Sequence, residues 1–294
     1  MAVALTDDQA LADLNAAAEA IWENTVAHCP GLSVDVVPSL ASTNTALMEQ
    51  ARQGLTTPTL LTAVHQLAGR GRQGRQWSAH PGQSLTFSLG LPLKLDAIPG
   101  GGSALSLAVG LALARALDAA FSQLGYPAPV TQLKWPNDLW WHQRKLGGIL
   151  IEATGVPSLP PQQRWVVIGV GLNVGPAPDQ PQAACLQEHW PADAPELTPG
   201  RVWTWLAPEL ARAVVRFEQQ GFAPLAAAYR ARDALFGRDV QLWTRAGPTD
   251  LGTLAPDQQG KALGVNEQGA LLVHTDKEIQ TWTTGDVSVR LQTP

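Results

Sequence analysis

The chain has 294 residues, which is enough for one large domain or for a large domain and a smaller one. Its 20 basic and 25 acidic side chains give a formal net charge of −5. The acidic balance argues against a nucleic-acid coat protein or a polybasic membrane anchor, and the two cysteines and six histidines show neither a disulfide framework nor a metal-ligand spacing. The N-terminus has no basic segment followed by an apolar run, and no stretch approaches about 18 uncharged apolar residues, so the sequence predicts a soluble cytoplasmic enzyme.

Helix and strand patterns alternate through the first half of the chain. Residues 6–28 repeat apolar side chains at helical spacing, and Thr6 with Gln9 predicts a capping box at the start of this helix. Ser42 is a typical N-cap for a short helix that ends at Gly54. The other patterns of this half predict strands at 34–37, 60–64 and 84–91 and a long apolar helix at 102–124.

The second half changes in texture after residue 237. Before this point the sequence predicts strands at 130–141, 146–153 and 165–174, an irregular loop at 175–200, and helices at 201–220 and 222–236. After it, short β-type runs alternate with Gly, Pro and Asp turns, which is typical of a small β-barrel. These runs are 240–243, 270–274, 279–282 and 287–291.

A segment rich in glycine and arginine reads GRGRQGR over residues 69–75 and contains a G-x-G-x-x-G pattern. Dinucleotide binding through this pattern requires a helix directly after it, and residues 76–82 do not favour one. A nucleic-acid patch, in which the arginines contact phosphates and Trp77 stacks on a base, suits a short segment of an acidic chain poorly. We favour a loop that wraps a small anionic ligand, because glycines allow close approach and guanidinium groups bind phosphate or carboxylate oxygens.

Two further polar segments lie close together in the sequence. KWPND runs from Lys134 to Asp138, and RKLGG follows it after five residues. The central proline forces an irregular strand end and places Asn137 at its tip, although the same residues are equally typical of a plain turn. A hairpin formed by the two segments would bring together Lys134 and Lys145, which are two of only five lysines in the chain.

Glycines also interrupt an apolar strand pattern at 166–174. Gly169 and Gly171 stand where larger side chains would block a ligand or a neighbouring backbone. Tight packing within a sheet explains each of these glycines equally well.

Taken in chain order, these segments resemble the motifs of biotin protein ligases. The resemblance runs from about residue 34 to the C-terminus and includes a QGALL segment at 268–272. Each motif is weak alone, whereas the whole series in this order and spacing is specific. The motifs are Ser42-Thr43-Asn44, Gln66 with residues 69–77, KWPND at 134–138, RKLGGIL at 144–150 and GVGLN at 169–173.

The resemblance implies an α/β (α+β) fold, with a mixed β-sheet flanked by helices as in class II synthetase-like ligases and a small SH3-like β-barrel after it. It divides the chain into an N-terminal helical extension at 1–31, a catalytic domain at 32–236 and a C-terminal SH3-like domain at 237–294. About thirty residues precede the first catalytic strand, in place of the winged helix of family members that repress transcription. We therefore expect a monofunctional ligase that binds no nucleic acid and no membrane.

The activity implied by the resemblance is the ATP- and Mg²⁺-dependent activation of biotin to biotinyl-5′-AMP. The biotinyl group then passes to one lysine of a biotin carboxyl carrier protein or domain of a biotin-dependent carboxylase. A lipoate or octanoate protein ligase is the alternative, because it uses the same acyl-adenylate chemistry. The resemblance is compatible with a monomer or a homodimer.

The resemblance also assigns roles to single residues. The catalytic positions are Lys145, Arg72, Lys134 and Asp138. The residues expected to bind biotin are Ser42, Thr43, Asn44, Gln66, Arg70, Gly71, Arg72, Trp77, Lys145, Gly148, Gly169 and Gly171. Those expected to bind ATP are Arg70, Arg72, Arg75, Lys134, Asn137, Lys145, Asn173 and Trp190, with Trp190 against the adenine. No metal ligand is assigned, since Mg²⁺ bound mainly through ATP phosphates needs few protein ligands.

Overall fold

The chain folds into a mixed β-sheet with helices on both faces, followed by an antiparallel sheet. The computed structural model describes residues 5–125, 131–244, 254–283 and 287–292. Residue 130, where one predicted strand begins, lies outside these ranges. The α/β (α+β) fold class predicted from the sequence is confirmed.

The larger sheet consists of β1 Ser33–Leu40, β2 Thr59–Gln66, β5 Ser84–Leu93, β6 Gln132–Lys134, β7 Asp138–Trp141, β8 Arg144–Thr154 and β9 Arg164–Asn173. These strands lie in the order β1-β2-β5-β9-β8-β7-β6. β1 is parallel to β2, and the other neighbouring pairs are antiparallel. Two short strands, β3 Gly69–Arg70 and β4 Gln76–Trp77, form a separate ribbon between β2 and β5 in the sequence.

Helices cover both faces of this sheet. In the described residues they are α1 Asp7–Thr25, α2 Thr43–Arg52, α3 Gly101–Ser122, α4 Pro199–Gln220 and α5 Ala226–Arg230. α4 packs against both α1 and α3 on the side of the main core. α2 forms a second cluster with Trp165 and Val167, whereas Val166 and Ile168 belong to the main core. Successive residues of β9 therefore point to opposite faces, as a strand requires.

The α3 helix is apolar on most of its surface because the protein encloses it. Its length and hydropathy would suffice for a membrane span, but Arg115 and Asp118 interrupt its apolar run and 78% of the tested window is buried inside the fold. It packs against α4 and β8, and side chains such as Leu105 and Leu113 are fully buried. These contacts are those of the core helix of a globular domain.

The helix predicted at 222–236 is wrong in its second half. A short 3₁₀ turn at Ala223–Leu225 leads into α5, which ends at Arg230. The chain then runs beside β6, where Leu133 N donates to the Arg232 carbonyl at 2.9 Å and Ala234 N donates to the Leu133 carbonyl at 2.8 Å. Hydrogen bonding to the open edge of the sheet therefore replaces the second half of the predicted helix.

The second sheet consists of β10 Asp239–Trp243, β11 Gln258–Val265, β12 Leu271–His274, β13 Ile279–Trp282 and β14 Ser288–Leu291. It is antiparallel in the order β13-β12-β11-β10-β14. Sequence analysis missed β11, whose first half is polar. Trp135, which follows β6, joins this sheet to the larger one, because its indole N–H donates to the Gly269 carbonyl at 3.1 Å. This docking places β14 beside the site described next.

Candidate active site

A cavity of about 300 Å³ lies between the larger sheet, the loop that follows β3, and β14. Its lining includes all but two of the residues predicted for the site. The predicted residues that line it are Ser42, Thr43, Asn44, Gln66, Arg70, Gly71, Arg72, Arg75, Trp77, Lys134, Asn137, Asp138, Lys145, Gly148, Gly169 and Gly171. Segments more than a hundred residues apart in sequence therefore converge on one space.

One end of the cavity is built from neutral polar groups at the start of α2. Ser42 caps this helix, and both the backbone N–H and the hydroxyl of Thr43 donate to Gln66 Oε1, at 3.0 and 3.2 Å. Ser88 Oγ lies 2.7 Å from Thr43 Oγ1 and 2.6 Å from Asn44 Oδ1. Ser42, Thr43 and Asn44 are almost fully buried, so this end holds fixed donors and acceptors in a dry environment.

Asn44 connects this polar end to the centre of the sheet. Its amide nitrogen donates to Glu152 Oε2 at 3.0 Å. A Cβ at Gly169 would overlap the Asn44 side chain, so this position is restricted to glycine by close packing. Glu152 also pairs with Arg70 at 2.9 Å and thereby fixes the first arginine of the glycine-rich segment.

The segment from Gly71 to Arg75, called the cavity loop below, is a tight turn between β3 and β4. Gly71 N donates to the Arg75 carbonyl at 2.7 Å, and Arg75 N donates to the Arg72 carbonyl at 3.1 Å. Gln73 and Gly74 have left-handed backbones, with φ of 55° and 70°. The loop leads into strand β4 and not into a helix, which fits the predicted ligand-wrapping loop and contradicts a dinucleotide-binding turn.

Trp77 forms an apolar wall of the cavity. Its indole ring lies against the backbone of Gly171, where a Cβ would overlap the ring. Among the described residues the buried indole N–H of Trp77 has no hydrogen-bond partner. The Lys145 ammonium lies 5.9 Å from the ring centroid, so the apolar wall ends at a cation.

The other end of the cavity is strongly positive. Its basic residues are Arg70, Arg72, Arg75, Lys134, Lys145 and Arg290, against Asp138 as the one acidic residue among the described residues of the lining. This local charge is opposite to that of the acidic chain as a whole. A concentration of cations in a partly enclosed cleft attracts an anionic ligand.

Asp138 and Lys145 form an ion pair, with Oδ1 and Nζ 2.8 Å apart. Burial alone raises the pKa of Asp138, but the ammonium groups of Lys145 and Lys134 outweigh it and hold this pKa below its usual value. Asp138 is therefore a carboxylate at neutral pH. It fixes the position of Lys145, whose side chain is 42% exposed towards the cavity.

Lys134 is partly buried and lies opposite Asp138 in the pairing of β6 with β7. Burial lowers its pKa, and Lys145, Arg290 and Arg75 act in the same direction, against the opposing effect of Asp138. Its ammonium lies 5.0 Å from the centroid of the Trp140 ring. The predicted hairpin that brings Lys134 and Lys145 together is present, because β7 pairs with both β6 and β8.

Asn137 joins the cavity loop to β8. Its amide nitrogen donates to the Ile149 carbonyl at 2.7 Å, and its amide oxygen accepts from the Arg72 guanidinium at 3.4 Å. The residue is thus held from two sides at the positive end of the cavity.

The structure places Asn173 and Trp190 elsewhere. Asn173 is buried and donates to the Ala184 carbonyl at 3.1 Å. Trp190 packs edge-on against Phe121 and near Trp205, and its indole N–H donates to the Pro195 carbonyl at 2.9 Å. Neither side chain lines the cavity: Trp190 lies in an aromatic cluster beside α3, and Asn173 is bonded to the 175–200 segment. Their ATP contacts stay predictions.

Sequence analysis missed several residues around the cavity, and three of them make contacts that matter for the site. Ser288 and Arg290 line it from β14, and Glu152 holds Arg70 and Asn44 from β8. No local motif marks them, because their roles depend on contacts with residues far away in the sequence. The alternating pattern that predicted a strand at 287–291 was the only available signal for the first two.

Two family models match this chain. The biotin/lipoate A/B protein ligase family matches residues 36–173, and the biotin protein ligase C-terminal domain matches residues 252–290. The bifunctional ligase/repressor BirA of Escherichia coli is 32% identical over 265 residues, which cover 88% of this chain and 75% of that protein. A biotin–[acetyl-CoA-carboxylase] ligase of Mycobacterium tuberculosis is 34% identical over 257 residues, which cover 86% of this chain and 88% of that protein. The chain belongs to the biotin protein ligase family.

The biotin protein ligase fold is also seen in solved structures. A biotin protein ligase from Aquifex aeolicus, in complex with biotin and ATP, matches with a TM-score of 0.67 and 22% sequence identity. The match covers 88% of this chain and 99% of that chain. The mixed sheet and the SH3-like C-terminal sheet expected of a biotin protein ligase are both present.

The donor set of the cavity limits how a metal ion is held. Within the described ranges, no three His, Cys, Asp or Glu side chains converge on a metal position. Asp138 already pairs with Lys145. The cavity therefore fits Mg²⁺ only if phosphate oxygens of a nucleotide supply most of its ligands, which is usual for this ion.

Proposed function

We propose that this chain activates biotin with ATP to biotinyl-5′-AMP and transfers the biotinyl group to a lysine of a biotin carboxyl carrier protein. The observation that carries this proposal is the division of one cavity into two ends. The buried hydroxyl groups of Ser42 and Thr43 and the partly buried amide of Gln66 suit the ureido group of biotin. The cluster of cations suits a carboxylate and the phosphates of ATP.

In the first step, a carboxylate oxygen of biotin attacks the α-phosphorus of ATP, and the bond to the leaving pyrophosphate breaks. Two anions must approach each other, so cations that face the reacting groups lower the barrier. Lys145, which pairs with Asp138, and Arg72, which bonds to Asn137, are the candidates for this role. Trp77 and the glycine backbone of β9 exclude water from the valeryl chain.

Mg²⁺ supplies charge neutralisation on the phosphates when it is bound. We propose that phosphate oxygens hold it in this cavity, with the basic residues of the positive end sharing the remaining phosphate charge. Arg70, Arg75, Lys134 and Arg290 are the candidates for this sharing.

In the second step, the neutral amine of the acceptor lysine attacks the acyl carbon of biotinyl-5′-AMP, and AMP leaves. An ammonium group is not nucleophilic, so the incoming lysine must lose a proton. Asp138 is ionised and lies beside Lys134 and Lys145, so it is the candidate for orienting the amine or accepting its proton.

The partners and setting of the enzyme follow from the same proposal. We propose residues 32–236 as the catalytic domain and 237–294 as a domain that completes the cavity through β14, with 1–31 as a helical extension. We expect no DNA or membrane binding, because the arginines of the cavity loop face a ligand cavity in an acidic chain. The two cysteines are free and buried, which suits the reducing cytoplasm. A monomer and a homodimer are both compatible with this site.

The test is ATP–pyrophosphate exchange, measured separately with biotin, lipoate and octanoate. We expect exchange that depends on biotin and on Mg²⁺, with little exchange above background for the two fatty acids. Transfer to a purified biotin carboxyl carrier domain is then followed by the mass increase of that domain.

Exchange with lipoate or octanoate alone would contradict the proposal and support the alternative ligase. A carrier domain whose acceptor lysine is changed to arginine is the control for the second step, since it removes the nucleophilic amine and keeps the charge.

A further inference from the structure

One hydroxyl group ties the cavity loop to the C-terminal sheet. Ser288 Oγ donates to Gln73 Oε1 at 2.9 Å and accepts from the Arg75 guanidinium at 3.3 Å. Ser288 lies in β14, at the edge of its sheet, and is 8% exposed. The hydroxyl thus uses its donor and one acceptor on two residues of the same loop.

Gln73 is the position at which the loop most needs an outside partner. Its φ of 55° lies in the left-handed region, which non-glycine residues adopt at a cost. The hydrogen bond from Ser288 holds the side chain of this strained residue and offsets part of that cost. Backbone hydrogen bonds close the base of the loop, and Ser288 holds its tip through the Gln73 side chain.

The same strand also forms part of the cavity wall. Val289 and Arg290, next to Ser288, line the cavity together with Arg72 and Arg75 of the loop. A change in the bond between Ser288 and the loop therefore alters the opening between the loop and this wall.

We propose that Ser288 is a positioning residue that keeps the cavity loop closed, so that the C-terminal sheet sets how long the acyl-adenylate stays bound. The effect on the loop stands on its own geometry, whereas the effect on the adenylate rests on the proposed function. A loop that is closed most of the time stays mostly closed after a several-fold shift towards opening. Escape of the adenylate depends on the small fraction of molecules with an open loop, so a weaker bond at Ser288 increases the rate of escape.

The experiment compares Ser288→Ala with Ser288→Thr, which retains a hydroxyl. The matched control is Thr281→Ala, which removes an exposed hydroxyl from β13, at the opposite edge of the same sheet. Two quantities are measured in the full chain. The first is the rate of trypsin cleavage after Arg72 and Arg75 without ligand, and the second is the release of preformed biotinyl-5′-AMP into a chase of unlabelled biotin and ATP.

We expect cleavage of Ser288→Ala at the loop to be about three- to tenfold faster than wild type, the range that corresponds to the loss of a typical hydrogen bond. Adenylate release increases by a similar factor. Ser288→Thr and Thr281→Ala behave nearly as wild type in both measurements.

Unchanged cleavage in Ser288→Ala overturns the proposal. The proposal is also overturned if cleavage becomes equally faster at arginines outside the loop and the thermal midpoint falls, because these two results together indicate global destabilisation. Faster loop cleavage with unchanged adenylate release overturns the part that concerns retention. Absence of biotin-dependent exchange in the wild type refutes the proposed function, and the cleavage measurement still decides on the loop. If Ser288→Ala does not fold, Gln73→Ala removes the other partner of the same bond and takes its place.

Discussion

At the scale of the residue, the choice between lysine and arginine in the cavity follows from what each side chain contacts. Lys145 presents a compact ammonium that Asp138 holds at 2.8 Å, and a planar guanidinium has a different reach and hydrogen-bond geometry. Arginines occupy the cavity loop, where a fork of N–H donors suits phosphate oxygens. The two residue types are therefore not interchangeable at these positions.

Replacement of Lys145 tests this difference. We expect Lys145→Ala to lower the rate of biotin-dependent pyrophosphate exchange by ~10²–10³-fold, because a charge that faces the developing anion is lost. Lys145→Arg keeps the charge and is expected to recover only part of the rate. Lys277→Ala, which removes an exposed lysine in the turn between β12 and β13, is the control. A Lys145→Ala variant with the exchange rate of wild type would remove this residue from the mechanism.

At the scale of the element, α1 stabilises the start of α4. The carboxylate of Asp13 accepts from Thr198 Oγ1 and from Gly200 N, both at 2.7 Å. Thr198 is the N-cap of α4 and also accepts from Arg201 N. Asp13 thus supplies an acceptor and a negative charge at the N-terminus of a neighbouring helix, where both are favourable.

We expect Asp13→Ala to lower the free energy of unfolding by about 1–2 kcal/mol, measured by urea denaturation, because an N-terminal N–H and a capping hydroxyl lose their acceptor. Glu19→Ala, at an exposed position of the same helix, should change stability by less than about 0.5 kcal/mol. Biotin-dependent exchange below the denaturation range should be the same in both variants. Equal stability of the two variants would show that the contact between α1 and α4 contributes nothing measurable.

Elements with a strong local pattern were predictable from the sequence, and elements set by distant contacts were not. The capping box at Thr6 and the apolar periodicity of β5 and β9 placed these elements within three residues of their observed bounds. The helix predicted to Phe236 ends at Arg230, because the next residues bond to the sheet edge at Leu133. Arg290 was missed for the same reason, because it reaches the cavity only through the docking of the second sheet.

At the scale of the whole molecule, a buried carboxyl group lies where the catalytic part meets the second sheet. Asp233 bridges to Leu133 of β6, accepts from Leu235 N at 2.9 Å and lies close to Gly264 of β11. Burial raises its pKa to about 6, against the opposing effect of these backbone donors. The position couples the stability of the junction to pH.

The direction of this coupling is opposite to that of Asp138. A raised pKa in the folded state means that Asp233 contributes stability in its protonated form, which is fully present below about pH 4, the pKa of an unfolded aspartate. This contribution is lost as the pH rises through about 6. Asp138, with a lowered pKa, instead contributes as a carboxylate and loses its contribution in acid below its unfolded pKa.

Replacement of Asp233 by asparagine removes the titration and keeps an oxygen that accepts from Leu235 N. We therefore expect the free energy of unfolding of Asp233→Asn, relative to wild type, to rise between pH 4 and pH 7. The expected rise is about 2 kcal/mol for a pKa difference of about two units. Urea denaturation at several pH values measures this difference, and Asp239→Asn, at an exposed position of β10, is the control. The free energies of unfolding of Asp233→Asn and wild type could instead differ by the same amount from pH 4 to pH 7. Asp233 would then have similar proton affinity in the folded and unfolded chains, and the junction would not be the source of pH-dependent stability.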